Sequence, residues 1–311
     1  MSIVVAADFT PAEWAAWLPA LRAALPRETI VEVRGVVDPG AIDIAIVANP
    51  PPGALAGLPA LRLVQSLWAG VDKLLADASI PAHVPLARMV DPAMNEAMAE
   101  TALWAVLALQ RDFFDYAAQQ RAAHWEQRAQ RTAHDFAVCV LGLGQMGRAV
   151  ALRLASNGYP VAGWSARPAT IAGVRSFAGD AALAQAVAGA QVVVNLLPLT
   201  PATRGVLDAR LFALLPRNAS VVNLARGAHL VEADLLAALD AGHLRHAVLD
   251  VFATEPLPAQ HAFWSHPKVT LLPHVAAQTD PRSAAAVAAA NVAALRAGRP
   301  LQHVVDRARA Y

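Results

Sequence analysis

The sequence predicts an α/β protein built on parallel sheets and divided into two lobes, and three observations carry that prediction. The chain has 311 residues, enough for two ordinary domains. Hydrophobic residues make up 56% of it and charged residues only 16%, a balance no disordered chain has. Short β-rich runs alternate with helical or loop segments along most of its length, the pattern of parallel strands joined by crossover helices.

The first lobe opens with the run Ile3 to Ala7, followed by an Ala/Leu/Trp-rich segment starting at Pro11. Further strands are expected at Ile30 to Arg34, Asp43 to Ala48, Arg62 to Leu67 and Val84 to Met89. After Ala48 comes Asn49-Pro50-Pro51-Pro52-Gly53, where the prolines remove amide donors and end the strand in a turn. From Pro92 to Arg111 the apolar residues Met94, Met98, Ala102, Ala105 and Leu109 recur at helical spacing without a glycine. The pattern runs on through Phe113, Tyr116 and Trp125, so one long helix bridging the lobes is expected. The second lobe starts with Asp135 to Leu141 and continues with strands at Pro160 to Trp164, Gln191 to Leu196, Ser220 to Leu224, Ala247 to Val251 and Val269 to Leu272. Glu232 to Ala241 has helical composition, and Ser283 to Ala297 is a last helix stopped by Gly298.

Composition narrows the function classes. With 25 Lys+Arg against 24 Asp+Glu and no basic block, neither nucleic acid nor a membrane surface is an expected partner. The single cysteine, Cys139, excludes an internal disulfide framework and a thiolate zinc cluster, and its apolar surroundings mark it as a core residue. Met1 to Ala7 lacks the basic start of a secretory signal and Ala284 to Leu295 is too short to span a bilayer, so a soluble cytoplasmic protein is expected. The pairs His243/His246 and His261/His266 have no third ligand nearby in sequence, and no metal is expected. Lys73 and Lys268 are the only lysines, which leaves few candidates for a lysine-dependent mechanism.

Directly after the Val138 to Leu141 strand stands Gly142-Leu143-Gly144-Gln145-Met146-Gly147, followed by helix-compatible residues. The glycines serve a tight turn, a close backbone approach to a pyrophosphate, and close packing of helix on strand, while the new helix aims its unpaired amides at the phosphates. About twenty residues on, where an NAD-binding chain carries Asp or Glu, this chain has Ser165, with Arg167 two positions later. A hydroxyl and a guanidinium suit a 2′-phosphate, and one charge-assisted hydrogen bond of roughly 1.5 to 3 kcal/mol favours NADPH over NADH by about ten- to a hundredfold. NADPH is therefore the expected cofactor, with NADH as the weaker alternative.

Three later segments place polar residues at strand ends, where an open α/β sheet presents ligands: Asn223-Leu224-Ala225-Arg226-Gly227, Asp250-Val251-Phe252 with Glu255-Pro256, and Pro273-His274-Val275-Ala276. An arginine, a carboxylate and a histidine form the set that reduction of a 2-oxo acid requires: a cation for the carboxylate and carbonyl, an acid for the forming alkoxide, and a carboxylate to hold the imidazole. Together with the glycine motif, these segments resemble the D-isomer-specific 2-hydroxyacid dehydrogenase family. Gly163-Trp164-Ser165, Asn195-Leu196-Leu197-Pro198 and Asp306-Arg307 look most like its glyoxylate/hydroxypyruvate reductase A branch. The resemblance covers nearly the whole chain and is most specific over 138–280.

The resemblance implies two Rossmann-like lobes, with a cofactor lobe (99–280) inserted into a flavodoxin-like substrate lobe (1–98 and 281–311). It makes Arg226 the substrate-orienting residue, Glu255 the histidine's partner and His274 the proton donor, with chemistry in the cleft between lobes. Asp250 is expected near the nicotinamide carboxamide, and cofactor contacts are also implied for Trp164, Leu197, Pro198, Leu224, Ala225 and Ala276. The loop Trp68-Ala69-Gly70 matches one whose amides at Ala69 and Gly70 receive the substrate carboxylate, with Trp68 lining the pocket. A homodimer through the Phe113 to Arg131 region, with Trp125 on its arm, is the family's expectation. Trp68, Trp104, Trp164 and Trp264 are expected to be packing residues first, Trp68 alone of them also lining the pocket. β-Hydroxyacid dehydrogenases share the methionine in the glycine turn, but they place that turn at the chain start and rely on a later lysine. A nucleotide-sensing corepressor on the same fold and a dehydrogenase for a larger substrate remain as alternatives.

Overall fold

The computed structural model describes residues 1–32 and 35–309. The chain forms two compact units, Met1–Met94 with Thr279–Tyr311, and Asn95–Gln278.

The first unit holds β1 (Ser2–Ala7), α1 (Pro11–Ala24), β2 (Thr29–Val31), β3 (Ile42–Ala48), β4 (Leu63–Ser66), α2 (Asp72–Leu75) and β5 (Leu86–Ala87). The strands pair in parallel in the order β2-β1-β3-β4-β5, the flavodoxin-like arrangement. Every residue of β3 is buried, as in a strand covered on both faces. Of the strand expected at Ile30 to Arg34, Val33 and Arg34 lie outside the described residues. The run Val84 to Met89 yields only the two residues of β5, because the amides of Arg88 and Met89 leave the ladder for the carbonyls of His303 (3.0 Å) and Trp68 (3.1 Å).

The passage into the second unit is α3 (Pro92–Gln110). It is followed by α4 (Phe113–Arg121), β6 (Val138–Leu141), α5 (Gln145–Ser156), β7 (Val161–Ser165), β8 (Val174–Ala178) and α6 (Leu183–Val187). The unit continues with β9 (Val192–Asn195), α7 (Ala209–Leu214), β10 (Ala219–Asn223), α8 (Glu232–Asp240), β11 (Leu244–Leu249) and β12 (Val269–Leu271). Its sheet is parallel throughout in the order β12-β11-β10-β9-β6-β7-β8. The order reverses between β6 and β9, so the carboxyl ends of these two strands border the crevice where doubly wound sheets take ligands. Strand residues alternate between two cores: Cys139, Leu141, Val193 and Val221 on one face, Val138, Val140, Val192 and Val222 on the other. Burial pushes the Cys139 thiol up to about 12, so it stays protonated and packs as an apolar residue. The chain returns to the first unit through α9 (Pro281–Arg296), anchored where Arg296 binds Glu28 and the fully buried Asp43 and where Asn291 donates to Gln65 Oε1 at 2.7 Å.

Two expectations need correction. The single long helix from Pro92 through Trp125 is broken at Asp112, which takes φ 57°, and Trp125 lies beyond α4 and is 92% exposed. At the break the turn of the chain brings the buried Asp112 carboxylate onto Arg245 of β11 and Arg131 (2.8 Å), partners that lie far away in sequence. Trp104 and Trp264 are 42% and 57% exposed and pack only at the surface, Trp104 edge-on against Phe114 at 5.9 Å, whereas Trp164 is buried with its indole N–H on the Gly179 carbonyl at 2.9 Å. β8 was not foreseen; it is a partly exposed edge strand whose polar residues hide its pattern.

Candidate active site

The glycine turn lies at the reversal point, between β6 and α5. Gly142 has φ 95°, and a Cβ there would meet the Leu196 carbonyl oxygen at 2.6 Å, so the turn rests directly on the backbone that follows β9. A Cβ on Gly147 would lie 1.7 Å from the Gly142 carbonyl oxygen, which is how closely α5 packs on the turn. Gly144 differs: a Cβ there would point into open space, and no side chain caps the first turn of α5. A concave backbone with free helix amides is what a pyrophosphate needs, so these residues fit a dinucleotide. Gln145 and Met146 form the first turn of α5. Ser165 ends β7 and donates its hydroxyl to the Arg167 carbonyl at 2.6 Å, closing the turn that carries Arg167 at the surface.

The other three segments meet at the ends of β10, β11 and β12. His274 Nδ1–H donates to Glu255 Oε2 at 2.8 Å, and Glu255 Oε1 accepts the Phe252 amide at 2.9 Å. Because a carboxylate only accepts, the imidazole carries its proton on Nδ1 and presents Nε2 outward for exchange. Asp250, 1% exposed, holds the histidine loop: its carbonyl accepts the His274 amide (2.8 Å) and its carboxylate accepts the amides of Val275 (2.7 Å) and Ala276 (3.1 Å). These bonds fix His274 at φ 56°, a conformation that L-residues rarely adopt. Burial raises the Asp250 pKa, and the two amides oppose that rise. Arg226 follows β10 and donates from Nη1 to the Ala225 carbonyl at 2.7 Å. A Cβ on its neighbour Gly227 would lie 1.9 Å from the Phe252 carbonyl carbon, so the arginine turn sits against the loop that bears Glu255.

Beneath these loops lies a network that the sequence reading did not identify. Asn195 Nδ2 donates to Asn223 Oδ1 and to His229 Nδ1, each at 3.0 Å, and Asn223 Nδ2 donates to the Arg226 carbonyl at 3.0 Å. With Nδ1 accepting, His229 Nε2–H donates to the Pro198 carbonyl at 3.2 Å. All three side chains are completely buried, and they tie the ends of β9 and β10 together at Leu197-Pro198 and at Leu224-Ala225-Arg226. His229 carries no motif of its own; its partners lie 34 and 31 residues away. Leu224 and Ala276 are core residues, and the Ala276 carbonyl also accepts from Thr101 Oγ1 at 2.8 Å.

In the first unit, Ser66 Oγ holds both the amide and the carbonyl of Trp68 at 3.0 Å, shaping the loop that continues through Ala69 and Gly70. The Trp68 indole packs edge-on against Trp17 at 5.6 Å. Among the described residues no group of three His, Cys, Asp or Glu side chains could hold a metal ion. His243 bonds the Phe212 carbonyl, His246 bonds Thr270, His261 bonds Glu232 and His266 bonds Asp240.

Residues 103–276 match the NAD binding domain of the D-isomer specific 2-hydroxyacid dehydrogenases. The glyoxylate/hydroxypyruvate reductase A of Yersinia enterocolitica is 43% identical over 301 residues, 95% of this chain and 96% of that one. The chain belongs to the D-isomer-specific 2-hydroxyacid dehydrogenase family. It is an NAD(P)-dependent oxidoreductase of the glyoxylate/hydroxypyruvate reductase A branch. Two solved family structures superpose on this dehydrogenase over its full length. The Xanthobacter autotrophicus dehydrogenase, in complex with NADPH and MES, has a TM-score of 0.95 at 40% identity, with 99% of that chain covered. The NADPH-dependent glyoxylate/hydroxypyruvate reductase of Sinorhizobium meliloti, in complex with NADP and sulfate, has a TM-score of 0.94 at 36% identity, with 100% of that chain covered. Among the described residues no helix is long and apolar enough to cross a membrane.

Proposed function

We propose that this dehydrogenase reduces glyoxylate to glycolate and hydroxypyruvate to D-glycerate, with NADPH as its preferred reductant. The observation that carries the reading is the His274–Glu255 pair at 2.8 Å, on a loop clamped by Asp250 and set against the Arg226 turn. When bound, the reduced nicotinamide supplies a hydride to the carbonyl carbon. His274 donates a proton from Nε2 to the carbonyl oxygen, and Glu255 holds the imidazole in the orientation this needs and offsets its charge before donation. Arg226 orients the substrate carboxylate and polarises the carbonyl, and the amides of Ala69 and Gly70 in the first unit receive the carboxylate. Ser165 and Arg167, where the NAD-type acid is missing, receive the 2′-phosphate. The reading includes a cytoplasmic homodimer formed through the Phe113 to Arg131 region, supported by the exposure of Trp125.

The test is the rate of NADPH and NADH oxidation by purified protein with glyoxylate, hydroxypyruvate, pyruvate and a larger 2-oxo acid. Fast NADPH oxidation with the first two is expected. Turnover of the larger acid alone would replace the substrate assignment, and tight NADPH binding without any turnover would make the protein a sensor.

A further inference from the structure

We propose that Arg88 is an anion receptor of the first unit, which completes, with the Ala69 and Gly70 amides, a seat for a small organic carboxylate. Arg88 is the residue that follows β5, and β5 pairs in parallel with β4, so Arg88 and the Trp68-Gly70 loop emerge at the same edge of the sheet. The two are joined directly, since the Met89 amide donates to the Trp68 carbonyl at 3.1 Å. On the other side the Arg88 amide donates to the His303 carbonyl at 3.0 Å, and Val304 bridges Ala87.

The Arg88 guanidinium is half-buried, and among the described residues no carboxylate, carbonyl or hydroxyl accepts from it. The acid nearest in sequence, Asp91, is engaged elsewhere: it accepts Ser283 Oγ at 2.6 Å and the Ala93 amide at 2.9 Å. Arg307, by contrast, donates to the carbonyls of Pro81 (3.3 Å) and Val84 (2.9 Å). Desolvation lowers the Arg88 pKa, and the His303 pKa falls through its own burial and then through the nearby Arg88 charge. The shift disfavours a charged His303 beside the Arg88 guanidinium. A partly desolvated guanidinium without a protein acceptor keeps its donor fork open to an anion, and a carboxylate matches that fork geometry.

This inference rests on reading the Trp68-Gly70 loop as the place where substrate carboxylate is received. Oxalate, an unreactive stand-in for a 2-oxo acid, is titrated calorimetrically into the NADP-saturated protein. Arg88→Ala is expected to weaken oxalate binding by ~10- to 100-fold, with Arg88→Lys in between and NADP binding unchanged. If the alanine variant does not fold, Arg88→Gln replaces it in the same titration. Parental oxalate affinity in the uncharged variant overturns the proposal, as does a parent protein that binds no oxalate. If oxalate binds with the expected dependence on Arg88 but no 2-oxo acid is turned over, the reductase reading fails and the receptor stands.

Discussion

Gly227→Ala tests whether backbone packing between two loops sets the position of the Glu255 carboxylate. A Cβ at residue 227 would lie 1.9 Å from the Phe252 carbonyl carbon, 2.2 Å from its oxygen and 2.3 Å from the Ala253 nitrogen. All three are backbone atoms, so no side chain can rotate away. Restoring ordinary contact at 3.4 Å moves one loop against the other by roughly 1.5 Å. Phe252 donates its amide to Glu255, and Glu255 holds His274, so the displacement reaches the His274 imidazole through two hydrogen bonds. A misplacement of about 1 Å costs on the order of a hundredfold in rate, and overpacking of this kind costs about 1–3 kcal/mol of stability. The variant should therefore fold, melt at a lower temperature, bind NADPH and reduce glyoxylate about a hundredfold more slowly. The assay pairs kcat at saturating NADPH and glyoxylate with a thermal melt. A folded variant with parental kcat would refute the coupling of the Arg226 turn to the Glu255 loop.

Other consequences can be checked independently. His274→Ala should lower kcat by ~10²- to 10⁴-fold with NADPH affinity intact, and unchanged turnover would remove its role as proton donor. Arg167→Ala should weaken NADPH binding ~10- to 100-fold and spare NADH; equal losses for both would eliminate the 2′-phosphate contact. Gly144→Val faces open space at an ordinary φ of −69°, so it should keep the parental melting temperature while losing NADPH binding; normal binding would show that no cofactor approaches this backbone. Burial holds the His246 pKa down at about 4, below the ordinary histidine value of 6.5, so between those values mainly the unfolded state takes up this proton. Its share of stability is complete above pH 6.5 and falls by about 3 kcal/mol as the pH drops toward 4. His246→Gln should flatten that decline in denaturant titrations, and an unchanged slope would show that another group is responsible.

Much of the candidate site was legible in the sequence, because its signals are local. A glycine triplet between an apolar strand and a helix declares a turn that only residues without a Cβ can make, and Gly142 and Gly147 make it. The arginine, glutamate and histidine were identifiable because each follows a strand of recognisable apolar pattern. Asn195, Asn223 and His229 form a buried network across three segments, and nothing in the composition near His229 distinguishes it from the surface histidines. The helix break at Asp112 escaped for the same reason: α3 and α4 share one apolar pattern, and the charges that meet Asp112 sit on Arg131 and on Arg245.

The sequence by itself determined the parallel α/β class and the glycine turn between β6 and α5, and it marked the three segments that carry Arg226, Glu255 and His274. Each of these depends on backbone conformation and periodicity within a few residues, where covalent geometry and steric exclusion act regardless of the rest of the chain. Only the tertiary structure decided which loops touch, which nitrogen of His274 faces Glu255, where the long helix breaks and that Arg88 pairs with no acid among the described residues. Those outcomes rest on hydrogen bonds and desolvation between residues far apart in sequence, interactions that acquire their strength only once the strands are aligned and water is excluded.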